Sequence, residues 1–138
     1  MEEVYLDSNL LIYGILNEDR IGDLARKFIK EVEIGKYNAN ISALTIDEFI
    51  WKVQKVLGRE TAVESAKRII NMENVRILEI NSEVLTNMLK LYKDNKLDPR
   101  DSIHLATMQI NRIKTVISSD PDFDKIKEIK RIDFSKEL

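Results

Sequence analysis

The sequence predicts an α/β domain in which a mostly parallel central sheet is covered by helices on both faces. Three observations predict it. Short β-branched or aromatic runs alternate with longer segments of helical period along the whole chain. No linker, internal repeat or compositional break interrupts the alternation, so residues 1–138 read as a single domain. With 43% apolar residues, four Gly and two Pro, the chain can bury a core, and collagen-like or low-complexity classes are excluded.

Residues 4–6, Val-Tyr-Leu, make a short apolar strand that runs into Asp7-Ser8-Asn9, a composition suited to capping the helix expected over 9–17. Leu24, Ala25, Phe28, Ile29 and Val32 recur at helical spacing and predict a helix over 23–34. Gly35 stops it, because glycine readily takes the left-handed conformation beyond a helix end. Residues 39–42 read as a second strand. A strongly apolar helix is expected over 45–57 with Gly58 at its end, and the 3.6-residue period returns over 61–72 and 82–92. Residues 75–80 between these two read as a strand. Asp98-Pro99 opens a helix reaching about residue 111, since Pro at the first helical position gives up only an amide that lacks an intrahelical partner anyway. Strands over 115–118 and 130–134 complete the series.

Composition narrows the chemistry. Without Cys, disulfides, thiolate metal sites and cysteine nucleophiles are excluded, and a reducing, cytoplasmic setting is expected. The longest near-apolar run, residues 10–16, is far shorter than the ~20 residues of a membrane span, and Glu2-Glu3 carry the wrong charge for a signal peptide. Neither a membrane contact nor export is expected. The formal net charge of −2 argues against a general polyanion binder. It is unevenly spread, with five basic against ten acidic residues over 1–48 and seventeen against fourteen over 49–138. Lys52, Lys55, Arg100, Arg112 and Lys114 are candidate phosphate contacts, with a solvated helix face or strand flank as the plainer explanation of each.

Four acidic residues stand after strands or in the first turns of helices: Asp7, Glu48, Asp101 and Asp120. Each has a plain explanation alone. Asp7 and Asp120 suit turns, Glu48 suits a capping box closing on Thr45 or an ion pair with Lys52, and Asp101 suits the positive end of a helix dipole. Together they would crowd like charges at the carboxyl edge of one sheet, where ligands of such folds bind. Crowded carboxylates are raised in pKa unless a cation compensates. Oxygen donors with one His and no Cys point to Mg²⁺ or Mn²⁺ rather than zinc. Position on the helix does not choose between Asp47 and Glu48.

Leu6-Asp7-Ser8-Asn9, the Ser42 to Glu48 run, Asp98-Pro99-Arg100-Asp101-Ser102-Ile103-His104-Leu105-Ala106-Thr107 and the Ser118 to Phe123 run resemble, in order and spacing, the motifs of PIN-domain nucleases, above all the small prokaryotic VapC-type toxins. The likeness covers essentially the whole chain. It implies a three-layer α/β/α PIN-like domain and a metal-dependent endoribonuclease. It assigns Asp7, Glu48, Asp101 and Asp120 as catalytic and metal-holding residues, and so chooses Glu48 over Asp47. Asp122 matches a more variable fifth metal-holding acid, and Ser8, Asn9 and Ser118 fall at positions that support the cluster or orient substrate. The resemblance further implies an RNA substrate, a small antitoxin protein and a homodimer. Asp124 reads as surface charge and His104 as a packed histidine, while Phe49, Ile50 and Trp51 read as core or subunit-interface side chains before a base-stacking platform.

Two other readings compete. Haloacid-dehalogenase enzymes also place an Asp after the first strand but want a second Asp two residues on, where this chain has Asn9. A PIN-like module that binds RNA or protein without cutting would share the fold, and so would a PIN nuclease outside any toxin-antitoxin pair. Metal-dependent cleavage separates the first of these from the enzyme. Structure-specific DNA cutters of this kind generally carry added helical elements, for which this chain is too short, so RNA is favoured.

Overall fold

The computed structural model describes residues 1–136. Its elements follow in the order β1 (Glu2–Leu6), α1 (Ser8–Leu16), α2 (Arg20–Glu33), β2 (Tyr37–Ser42), α3 (Ala43–Ile70), β3 (Val75–Leu78), α4 (Ser82–Asn95), α5 (Pro99–Ile110), β4 (Thr115–Ile117) and β5 (Lys130–Ile132). Short 3₁₀ turns at Pro121–Lys125 and Phe134–Lys136 flank β5. The five strands form one parallel sheet in the order β3-β2-β1-β4-β5.

Side chains alternate across the pleat and divide the core in two. Val4, Leu6, Ala39, Ile41 and Ile117 pack against α1, α2 and α3. Tyr5 and Val116 turn the other way, toward Met108 of α5, with α4 packed on α5. This is the expected α/β/α arrangement. The chain builds outward from β1 to β2 and β3, then returns to the far side of β1 as β4. That reversal opens a crevice between the carboxyl ends of β1 and β4, the position where open α/β sheets bind ligands.

Local differences from the sequence reading have local causes. Helix α2 begins at Arg20 rather than 23, because the Asp19 carboxylate accepts the Gly22 amide at 3.3 Å and caps the extra turn. A Cβ at Gly22 would lie 1.9 Å from the Asn17 carbonyl oxygen, so the chain can enter α2 this tightly only with glycine there. Helix α3 starts two residues before Thr45, whose hydroxyl accepts the Ser42 amide at 3.2 Å. Thr45, the third residue of the helix, is therefore the capping partner of Ser42 and not itself the cap, which frees Glu48 from the capping-box role. The strand over 75–80 ends at Leu78, and the strand over 130–134 ends at Ile132; both are edge strands with a single neighbour.

The break expected after residue 57 is present as a kink within α3. Gly58 has φ 87° and ψ 168°, a region open essentially only to glycine. Nothing lies within 4 Å of a Cβ built there, so replacement meets backbone strain and no clash. Gly58→Ala is expected to destabilise the protein by about 1–3 kcal/mol, read as a drop of several degrees in thermal melting with catalytic activity retained below the melting point.

Candidate active site

The acidic residues are carried to the crevice by four different elements. Asp7 follows β1 directly, and its amide donates to the Ile117 carbonyl at 3.1 Å, continuing the β1-β4 ladder. It is the N-cap residue of α1 but makes no side-chain cap hydrogen bond. Its carboxylate instead accepts the Ser118 hydroxyl at 2.6 Å. Glu48 projects from the second turn of α3, Asp101 from the first turn of α5, and Asp120 and Asp122 from the 3₁₀ turn after β4.

Two groups of potential ligands result, each with its donor atoms within 4.8 Å of one another: Asp7, Glu48 and His104, and Asp101, Asp120 and Asp122. They are electrostatically continuous, since Asp101 feels the charge of Asp7 as well as that of Asp120. Burial, then Asp120 and Asp7, push the Asp101 carboxyl up to about 6. Burial likewise raises Asp7, against the opposing charge of His104 and the Ser118 hydrogen bond. Partly buried carboxylates held this close can hold a cation, and their oxygens suit Mg²⁺ or Mn²⁺.

Ser118 organises one side. Its one hydroxyl proton goes to Asp7, so its oxygen accepts from the Asp120 amide at 2.9 Å and from Asn9 Nδ2 at 3.3 Å. Asn9 Nδ2 also reaches the Ser119 hydroxyl at 2.9 Å, which leaves Asn9 Oδ1 buried without a protein partner. Asp120 Oδ1 accepts the Asp122 amide at 2.9 Å, so its turn role occupies one oxygen and leaves the other for the site.

His104 organises the other side, a role the sequence reading missed. It is packed as expected, at 1% exposure, but its ring bridges two functional groups. Nε2 lies 2.8 Å from Glu48 Oε1, and Nδ1 lies 2.6 Å from the Tyr5 hydroxyl, which in turn is 2.8 Å from Ser42 Oγ. Burial opposes a charge on the ring, but Tyr5, Glu48 and Asp7 outweigh it and push the imidazole up to about 10. Both ring nitrogens are engaged by protein partners, and through Nε2 His104 holds Glu48 in place. Burial would raise Glu48, yet the His104 hydrogen bond and charge, with Ser8 and Arg100, bring it below its usual range. The signal lay in the sequence: His104 is three residues after Asp101, hence on the same face of α5.

Other expectations resolve individually. Asp124 is exposed and paired with Arg131 at 2.9 Å, a surface ion pair. Phe49 is buried and Ile50 half-buried, whereas Trp51 is exposed and belongs to no core cluster. Among the described residues, no helix is long and apolar enough to cross a membrane.

The raised Asp101 carboxyl sets a stability test. Its native value of about 6 exceeds the ordinary 3.8, so the native state holds a proton more readily than the unfolded chain. Stability from this group is fully present below 3.8 and is lost as pH rises through 6. In metal-free protein, Asp101→Asn is therefore expected to raise the melting temperature at pH 7 by a few degrees, tempered by partial exposure. The gain should vanish by about pH 4; an equal gain at both pH values would show that charge repulsion is not its source.

Residues 4–129 match the family model described as PIN domain. Ribonuclease VapC2 of Methanocaldococcus jannaschii is 26% identical over 148 residues, spanning 97% of this chain and 93% of that protein. Among solved structures, Mycobacterium tuberculosis VapC20, a sarcin-ricin loop cleaving toxin, superposes with a TM-score of 0.72 at 15% identity, covering 88% of this chain and 92% of the other. VapBC2 from Rickettsia felis, bound to a DNA fragment from its promoter, gives 0.74 at 12% identity over 94% and 97% of the two chains.

Proposed function

The chain belongs to the PIN-domain family, and from that membership we propose that it is a single-domain Mg²⁺- or Mn²⁺-dependent endoribonuclease of the VapC toxin type. The observation that carries the reading is the convergence of Asp7, Glu48, Asp101 and Asp120 on the carboxyl edge of the sheet beside the β1-β4 crevice. The curated relative is a ribonuclease.

In this reading Asp7, Glu48, Asp101 and Asp120 hold the divalent ion, with Asp122 as a further ligand. When bound, the ion supplies an acidified water as nucleophile and neutralises charge on the phosphoryl oxygens. The chain's own residues set the geometry. Ser118 keeps Asp7 pointed into the crevice through its 2.6 Å hydrogen bond, and Asn9 pins Ser118 and Ser119. Ser8 and His104 hold Glu48 ionised. No Ser-His-Asp arrangement is needed, because the His104 nitrogens are committed to Glu48 and Tyr5.

An RNA cleavage assay with Mn²⁺, with Mg²⁺ and with chelator tests activity and metal need together. Cleavage with metal and none with chelator is expected; binding without cleavage in all three would make the chain a non-cutting module. Metal should also stabilise the fold, because it binds the native cluster and not the unfolded chain. At a hundred times the dissociation constant the gain is about 2.7 kcal/mol, and an unchanged melting curve at millimolar Mn²⁺ would count against a preformed site.

Two partners complete the proposal. A homodimer is supported by exposed Leu85, Leu89 and Tyr92, which stand at i, i+4 and i+7 on α4 as a continuous apolar stripe. A monomer by light scattering at tens of micromolar would refute it. A small antitoxin is supported by the VapBC assemblies with the same fold. An apolar groove of about 640 Å³ between α1, α2 and the second arm of α3, lined by Ile15, Ile29, Ile69 and Met72, offers its hydrophobic anchors a seat. An Arg or Lys presented to the acidic cluster would add charge pairing. Expression of the wild type in a bacterial host should be more toxic than Asp7→Asn; equal growth with no co-purifying small protein would remove the toxin assignment and leave the nuclease.

A further inference from the structure

Beside the acidic cluster lies a second, smaller cleft of about 170 Å³, several times the roughly 30 Å³ share of one water. Glu48 forms part of its wall, and Trp51, Lys52 and Arg100 form another part. Helix geometry explains the grouping: Trp51 and Lys52 stand three and four residues after Glu48 and share its face of α3, while Arg100 immediately precedes Asp101 on α5. The cleft is thus continuous with the site through residues adjacent in both helices.

Trp51 is 56% exposed, an unusual placement for so large an apolar side chain. Its ring is nonetheless held, since Lys55 Nζ lies 4.2 Å from the ring centroid in a cation-π contact. Lys52, Lys55 and Arg100 are all exposed; Lys55 lies over the indole, and Lys52 and Arg100 line the cleft with it, alongside the acidic Asp47 and Glu48. A second copy of this chain is a poor occupant, because subunit-interface cores are depleted in charged residues, Lys among them. An anionic partner carrying flat apolar rings fits both features.

We propose that Trp51, Lys52 and Arg100 form a subsite for one unstacked nucleotide of single-stranded RNA, next to the acidic residues that would hold the divalent ion. The proposal rests on the ribonuclease reading above and adds to it the form of substrate: the base stacks on the indole, and Lys52 and Arg100 take flanking phosphates. A base inside a duplex has both faces stacked already and cannot use the indole, so the subsite selects single strands, loops or ends.

Trp51 is the only Trp of the sequence, so its fluorescence reports the subsite directly. Asp101→Asn protein with Mg²⁺ is titrated with a labelled single-stranded oligoribonucleotide and with its duplex, and anisotropy and tryptophan emission are followed together. Saturable quenching is expected with the single strand only. Trp51→Ala should weaken single-strand binding about 5- to 100-fold, while Trp51→Phe keeps most of it. Lys52→Ala or Arg100→Ala should each lower the salt slope of log affinity by about 0.7. In the otherwise wild-type enzyme, Trp51→Ala should raise KM far more than it lowers kcat.

Binding without quenching, or equal binding by Trp51→Ala, overturns the subsite. So does a dimer that Trp51→Ala dissociates with RNA affinity unchanged, which assigns the indole to a subunit interface. The two readings fail separately. Metal-dependent cleavage with an unquenched indole leaves the nuclease and removes the subsite, whereas quenching by a single strand that the wild type never cuts leaves the subsite and removes the nuclease.

Discussion

Asp101→Asn is expected to reduce RNA cleavage on the order of 10³-fold, equivalent to about 4 kcal/mol in the barrier. The size follows from where Asp101 stands. It shares its group with Asp120 and Asp122 and also feels Asp7, so its carboxylate links the two halves of the acidic cluster. An amide there keeps shape and removes a negative charge. The same change should shrink the Mn²⁺-induced rise in melting temperature, while the metal-free variant melts no lower than wild type at pH 7. That combination, lost activity with retained apo stability, separates a site defect from a folding defect. Asp124→Asn is the control: its exposed ion pair with Arg131 lies outside the cluster, and cleavage should be unchanged. If Asp101→Asn cleaves within tenfold of wild type, the metal-holding role of Asp101 is wrong.

His104→Asn carries the largest expected effect on stability. The ring is 1% exposed and joins Glu48 to Tyr5, so its removal leaves a partly buried carboxylate without its imidazole partner and the Tyr5 hydroxyl with only Ser42 and Thr45. Breaking a buried pair from one side costs about 3–5 kcal/mol. A fall of roughly ten degrees or more in melting temperature is expected near pH 6. The pH dependence identifies the cause. The native imidazole value of about 10 lies above the ordinary 6.5, so its contribution is fully present below 6.5 and is lost as pH rises through 10. Glu48 is lowered from 4.5, so its contribution is present above 4.5 and is lost as pH falls through its native value. The stability gap between wild type and His104→Asn should therefore be widest between about pH 5 and 6.5 and narrow toward pH 10. A gap independent of pH would show that His104 acts by packing volume alone. Activity of the variant below its melting point should fall less than in Asp101→Asn, since His104 positions Glu48 without touching the substrate.

The hydrophobic pattern exposed most of the architecture because each element satisfies a local rule. Alternating strands and helices, the Asp98-Pro99 start of α5 and the glycine stops at Gly35 and Gly58 are properties of neighbours in sequence, and all four appear in the structure. Boundaries were less legible where a distant or unanticipated hydrogen bond decided them. Thr45 turned toward the Ser42 amide and started α3 early, and Asp19 did the same for α2. The 3₁₀ turn at Pro121–Lys125 depends on the Asp120 side chain accepting the Asp122 amide, a choice that a turn-rich sequence leaves open.

The candidate site divides in the same way. By itself the sequence determined which acids lie at strand ends and helix starts, because secondary-structure period and charge are written locally; the resemblance of its motifs then chose Glu48 over Asp47. Tertiary structure alone decided how those acids are held. Tyr5 and His104 are separated by 99 residues, and Asp7 and Ser118 by 111, yet each pair is in hydrogen-bond contact. The parallel order β3-β2-β1-β4-β5 makes both contacts, by setting β4 beside β1 and laying α5 over the face to which Tyr5 points. Burial then does what no sequence position can, raising Asp7 and Asp101, while the approach of Tyr5, Glu48 and Asp7 outweighs the opposing effect of burial on His104 and raises it too. The reason is that desolvation and Coulomb energy depend on distance in space and on exclusion of water, and both exist only once the sheet has closed against its helices.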